Sequence, residues 1–187
     1  MKDSSLSSSS YVVLGLLATQ GPMTPYDLKK CVDASIGYFW DFPRAQLYVE
    51  PERLAALGFL TEEREPEGRR RRTYHLAESG RAALLAWLRE DATANVQMRD
   101  PGLLKLTFAQ FLSHDELIAM AQQQRDIHTQ RLAVYETILP RIEHQAEEAF
   151  AFATLRMGLL YERAAVTYWE DIIARPPALA AEKKSGD

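Results

Sequence analysis

The chain has 187 residues, 47% of them hydrophobic and 26% charged, a composition that suits one or two packed globular units. Its formal net charge of -4 excludes a uniformly basic nucleic-acid coat, and its single cysteine, Cys31, excludes an internal disulfide and a cysteine-built zinc site. No run approaches the roughly 18 consecutive apolar residues of a membrane span, and the polar start MKDSSLSSSS lacks a signal peptide's apolar core, so a cytoplasmic protein is expected.

In SYVVLGLLATQG, Val13, Leu16 and Leu17 stand at helical spacing, and Gly21 and Pro22 end that first helix. The second opens in TPYDLKKCVDAS, with Thr24 as its cap, Pro25 at the first helical position and Asp27 in the first turn. An aromatic connection, IGYFWDF, leads to a third helix expected to begin at Asp41 or Phe42 and to end at Gly58. Pro51 falls inside it. Proline brings no backbone donor, so a bend or a lost hydrogen bond between Leu47 and Pro51 is expected, with both halves still helical. In FLTEEREPEGRRRRTYHL two strand-like runs flank the turn PEGR, giving a hairpin with a basic tip. AESGRAALLAWLRED then resumes helical spacing through Leu84, Leu85, Trp87 and Leu88 and runs out near Ala92. Three helices, a hairpin and a helix within residues 1–92 is the order of a winged helix-turn-helix, so the fold class expected is mainly α with a β-hairpin wing.

Residues 93–102, TANVQMRDPG, lack an apolar period and read as a linker. A helical domain is expected over 103–175, followed by a flexible tail, 176–187. It opens with LLKLTFAQFL, a short apolar helix, after which Ser113 and Glu116 form a capping box. The long helix behind that box carries a stripe of Leu117, Ala121, Gln124, His128, Leu132, Tyr135, Leu139 and Ile142, with Pro140 expected to kink its end. The last helix, expected from Glu147 to Ala174, has two apolar faces. One holds Phe152, Leu155, Leu159, Val166, Trp169 and Ile173, and the other Ala153, Met157, Leu160, Ala164 and Tyr168. Too few elements remain to cover both, so a second copy of the chain is expected, with the Phe152 to Ile173 face assigned to dimerisation.

In a helix-turn-helix the second paired helix enters the major groove, and its first residues meet base edges. Here Leu47, Pro51 and Leu54 share the inner side, which leaves Ala45, Gln46, Val49, Glu52 and Arg53 facing away, flanked by Arg44 and Tyr48. Arg44 suits guanine or phosphate, Gln46 suits adenine, and Tyr48 can give a phosphate its hydroxyl. Tyr26 in the second helix joins this DNA-facing set, and Arg69, Arg70, Arg71 and Arg72 on the wing are expected to neutralise phosphates. Glu62, Glu63, Glu65 and Glu67 stand near those arginines as screening charges.

The runs LGLLATQGPMTPYDL, AQLYVEPERLAALGFL and RTYHLAESGRAALLAWL together resemble the PadR family of transcriptional regulators, whose recognition helix carries a Q-[IL]-Y segment followed by leucine and glycine. LLKLTFAQFLSHDEL and LRMGLLYERAAVTYWEDII are similar to the C-terminal domain of the larger PadR subgroup, that of virulence-gene activators. The likeness spans Tyr11 to Ala174. It departs at Val49, where the family commonly has the proline that stands here at position 51. The resemblance implies a dimeric repressor or activator and a small aromatic effector held by Trp40, Trp87, Tyr161, Tyr168 and Trp169, and two-fold symmetry of a sequence-specific homodimer implies a palindromic operator. It implies no cofactor.

Enzyme readings find no support, because G-x-S-x-G, P-loop and H-E-x-x-H patterns are missing from the chain. His144 with Glu148 is the one histidine and carboxylate pair at metal spacing, and a solvated charged face explains it. A repressor relieved by a small effector is the expectation, and a helical interaction adaptor with a vestigial winged domain is the alternative.

Overall fold

The computed structural model describes residues 6–40, 43–65, 71–91, 98–145 and 148–177. They belong to two compact units, residues 1–94 and 95–187. The fold is mainly helical, with one two-stranded antiparallel sheet among the described residues, and none of their helices is long and apolar enough to cross a membrane.

In the first unit, α1 spans Ser8–Gln20, capped by reciprocal bonds between Ser7 and Ser10, and ends at Gly21 with φ 83°. The next helix, α2, spans Pro25–Ala34. Its cap is the expected one: the Asp27 amide donates to Thr24 Oγ1 at 3.2 Å, and the Thr24 amide donates to Asp27 Oδ2 at 3.3 Å. The Thr24 hydroxyl bond is the main cause that holds the Asp27 carboxyl below its usual value, against a smaller opposing effect of burial. A short 3-10 turn, Ile36–Tyr38, follows.

The third helix, α3, spans Gln46–Ala56, and so begins later than the sequence suggests. Asp41 and Phe42 lie outside the described residues. Ahead of α3 the backbone bonds run three residues back, Gln46 to Pro43, Leu47 to Arg44 and Tyr48 to Ala45, which is 3-10 winding. Arg44 therefore stands on the approach to the helix and not on it. After Gly58, at φ 81°, β1 spans Leu60–Arg64 and pairs with β2, Arg72–Leu76, in the register Leu60 to Leu76 and Glu62 to Tyr74. Met23 adds an isolated bridge to Tyr74 that no periodicity announces, since a single residue carries no pattern. The last element of the unit, α4, spans Glu78–Arg89. Val13, Leu14, Leu28, Val32, Leu47, Leu54, Leu60 and Tyr74 form the core that joins α1, α2, α3 and the hairpin.

In the second unit, Asp100 caps α5, Pro101–Thr107, by accepting from the Gly102 and Leu103 amides at 2.7 and 3.1 Å. Pro101 and Gly102, assigned to the linker in sequence, are thus the first residues of a helix, because proline suits that position. A 3-10 turn, Ala109–Phe111, leads to α6, His114–Ile142, which opens with the Ser113 and Glu116 capping box and stays helical through Pro140. The final helix, α7, spans Ala149–Ala174. Leu117, Ala121, His128 and Tyr135 of the α6 stripe are buried.

Here the structure corrects the dimerisation assignment. The face that holds Leu159 and Trp169 is consumed inside the chain: Leu159 is 5% exposed, and Trp169, at 1%, packs with Ala121 and Ile172 against Leu103, Leu106, Met120 and Ile173. Phe152, Leu155 and Val166 are half-buried along the same side. Burial of the large Trp169 ring against α5 and α6 outweighs that of the smaller residues opposite, so Met157, Leu160 and Tyr168 stay exposed, together with Ala153 and Ala164.

Gly80 on α4 admits no side chain, since an added Cβ would sit 2.2 Å from the Phe59 carbonyl oxygen and 2.9 Å from Leu76 Cδ1. A Gly80→Ala protein should lose about 2 kcal/mol through overpacking, seen as a lower urea midpoint with an unchanged slope.

Candidate nucleic-acid interface

One side of α3 is fully committed to the core, with Leu47 and Leu54 at 0% exposure and Pro51 buried between them. The other side is open: Arg44, Gln46, Tyr48 and Val49 are exposed, as is Glu52. Pro51 has no N–H to give the Leu47 carbonyl, yet α3 is helical on both sides of it. Glu50 and Arg53 flank the proline and tie the helix to α1. Buried Ser10 donates from its hydroxyl to Glu50 Oε1 at 2.6 Å, while Arg53 donates from Nη2 to that oxygen at 2.7 Å and from Nε to Oε2 at 3.0 Å. A further bond of 3.0 Å runs from Arg53 Nη2 to Ser10 Oγ. Arg53, expected to face away from the core, thus turns back along the helix, because the Glu50 carboxylate is the nearest strong acceptor. Burial alone would raise the Glu50 carboxyl, but the bonds from Arg53 and Ser10 outweigh it and hold it below its usual value.

Most cations around this surface already have anionic partners. Arg44 Nη2 lies 3.0 Å from Asp33 Oδ1 on α2. Arg72 pairs with Glu52 at 3.1 Å and with Glu62 at 3.4 Å, and Arg64 takes Glu62 at 2.6 Å. The wing arginine expected to be free for phosphate is therefore bridged to Glu52 on the outer face of α3 and to Glu62, which strand pairing brings near it. Arg71 is exposed, and Arg69 and Arg70 lie outside the described residues. Tyr26 is 61% exposed at the start of α2, with Lys30 Nζ 5.1 Å from its ring centre.

The five aromatic residues assigned to an effector pocket fall in both units, and four of them make other contacts inside their own unit. Trp87 stacks on Tyr11 at 4.5 Å and 7°, and Trp40 is 47% exposed. Trp169 is core, and Tyr168 meets it edge-on at 5.3 Å. Tyr161 belongs to a polar cluster that sequence reasoning passed over. Its hydroxyl donates to Asp100 Oδ2 at 3.4 Å, and His128, 6% exposed, has Nδ1 2.5 Å from Glu162 Oε2 and Nε2 3.9 Å from Asp100 Oδ2. Arg131 stands 3.6 Å from the other Glu162 oxygen. Burial first, then the nearby Asp100 and Glu162 charges, push the Tyr161 phenol up. The only sequence signal for the cluster was polar Gln124 and His128 within an otherwise apolar stripe. A separate open cleft of about 660 Å³ lies between α5 and α6, lined by Leu104, Lys105, Phe108, Leu112, Met120 and Gln123, and none of the five aromatics lines it.

Residues 13–86 match the family described as Transcriptional regulator PadR-like family, and residues 98–175 match Virulence activator alpha C-term. Among curated proteins the chain is similar to the Negative transcriptional regulator PadR of Bacillus subtilis (strain 168), 27% identical over 173 residues, or 88% of this chain and 94% of that one. Among solved structures it is similar to Bacillus subtilis PadR in complex with operator DNA, with a TM-score of 0.79 and 25% identity over 88% of this chain and 96% of that chain. The complex of Bacillus subtilis PadR with p-coumaric acid gives a TM-score of 0.74 and 24% identity, with the same coverage of 88% and 96%. The Vibrio cholerae virulence activator AphA gives 0.70 and 26%, covering 89% of this chain and 96% of its own.

Because the Glu50 carboxyl is lowered in the folded chain, its ion pair stabilises fully above the unfolded carboxyl value, and that contribution is lost as pH falls through the folded one. Glu50→Ala removes the carboxylate that Ser10 and Arg53 share and should cost about 3 kcal/mol at neutral pH. Urea unfolding across pH should also show a flatter acid limb in the variant, and coincident pH profiles would contradict the role given to this pair.

Proposed function

We propose that this chain, which belongs to the PadR-like family of transcriptional regulators and carries a virulence-activator C-terminal domain, acts as a homodimeric repressor at a palindromic operator in the cytoplasm. The observation that carries this reading is the division of α3. Its buried side anchors Leu47, Pro51 and Leu54, while the approach and first turns hold Arg44, Gln46, Tyr48 and Val49 out to solvent. Gln46 serves a base edge, Tyr48 and Tyr26 serve phosphates, and Arg71 leads the wing's contribution with Arg69 and Arg70. Arg72 reaches DNA only by leaving Glu52 and Glu62.

Dimerisation runs along the exposed side of α7. Ala153, Met157, Leu160, Ala164 and Tyr168 recur at steps of three and four, and the small alanines let a second helix approach closely. Phe150, 89% exposed, extends this stripe toward the start of the helix. Two-fold pairing would then set the two reading helices about 34 Å apart, one turn of DNA. A small aromatic acid is the expected effector class, since the Bacillus subtilis relative is seen with p-coumaric acid.

Fluorescence anisotropy with the duplex upstream of the chain's own gene tests the reading. Binding should weaken linearly with log salt, and no salt-sensitive binding at any concentration would favour the adaptor. Gln46→Ala should relax one position in each half-site, at about 1–3 kcal/mol. Leu160→Glu, at a site 54% exposed in the single chain, should leave a folded monomer by light scattering. A dimer that survives it would remove α7 from the interface.

A further inference from the structure

Arginine has a long flexible stem and several N–H donors, and an unrestrained one on a DNA-facing surface goes to the nearest phosphate. Reading a base needs the fork held in one orientation, which takes a partner behind it. Arg44 has such a partner. Its side chain is 63% exposed, and Nη2 lies 3.0 Å from Asp33 Oδ1. Asp33 is itself fixed, because Oδ2 accepts a 2.6 Å bond from Lys29 Nζ one turn earlier on α2. Oδ1 is closed to water, and Arg44 approaches it too obliquely for a hydrogen bond. An oxygen in that state favours any rotation of the guanidinium that straightens the contact.

We propose that Asp33 is a positioning residue for DNA reading: its ion pair aims the Arg44 fork across the approach to α3 toward a base edge, and so sets sequence preference. The proposal rests on the reading of this chain as a DNA-binding regulator. Arg44 turns one guanidinium nitrogen toward Asp33 and keeps donors for guanine O6 and N7. The Asp33 carboxylate meanwhile repels phosphates, which penalises duplexes that offer Arg44 no base acceptor in return. Paired in this way, Arg44 is also withdrawn from the set of cations that bind any phosphate and release its counterion.

The test compares Asp33→Asn, Asp33→Glu, Arg44→Ala and the Asp33→Asn/Arg44→Ala double variant by anisotropy, across a salt series. Two duplexes serve as probes, one selected by the wild-type protein from a random-sequence library and one with that sequence scrambled. Asp33→Asn should lower the ratio of selected to scrambled affinity about tenfold, and the salt dependence on the scrambled duplex should steepen by about one phosphate contact. Library selection with Asp33→Asn should lose its preference at the same position as selection with Arg44→Ala, and Asp33→Glu should regain part of it. In the Arg44→Ala background, Asp33→Asn should leave the ratio unchanged. Equal melting temperatures would show that these effects are not misfolding. An unchanged ratio in Asp33→Asn, or an equal loss on both duplexes, overturns the positioning role. A wild-type protein that binds neither duplex at any salt concentration sinks the regulator reading itself.

Discussion

The winged unit depends on burial of one side of α3. Leu47, Pro51 and Leu54 give that side no polar atom to leave unpaired except the Leu47 carbonyl, which faces a proline. What would be a weak point in an isolated helix is braced from outside it. Glu50 and Arg53, on either side of Pro51, bond to each other and to Ser10 on α1, so the helix is attached to the core by apolar packing and by charge at the same turn. A helix held this firmly on one side can carry exposed Tyr48 and Val49 on the other without a hydrophobic core beneath them.

The second theme is pairing. A net charge of -4 looks unsuited to a polyanion, yet the cations stand close together on the hairpin and ahead of α3. Two of them are held by local carboxylates, Arg72 by Glu52 and Glu62, and Arg44 by Asp33. Exposed pairs of this kind contribute about 1 kcal/mol or less. Arg72 can therefore leave its carboxylates at small cost, while Asp33 is held in turn by Lys29.

In the second unit the same rule explains both what was legible and what was not. The Ser113 and Glu116 box and the α6 stripe were readable because a cap and a helical period are local properties of the chain. Which face of α7 turns inward was not readable, since both are apolar at equal spacing. The choice fell to Trp169, whose ring needs the volume among Ala121, Leu103 and Met120. Asp100 illustrates a further limit. As one polar residue in an aperiodic stretch it looks like linker; its cap on α5 is local, but only the meeting of α5, α6 and α7 makes it a neighbour of His128 and Tyr161.

The sequence by itself determined the element order, the caps at Thr24 and Ser113, the inner side of α3 and the hairpin wing. These follow from backbone donors, side-chain periodicity and the chemistry of proline and glycine within a few residues. Only the tertiary structure decided that Arg53 turns inward, that Arg44 and Arg72 are paired and that α7 hides Trp169 while it exposes Leu160. Each of those outcomes is a competition between partners far apart in the chain, and distance, volume and charge in three dimensions settle it.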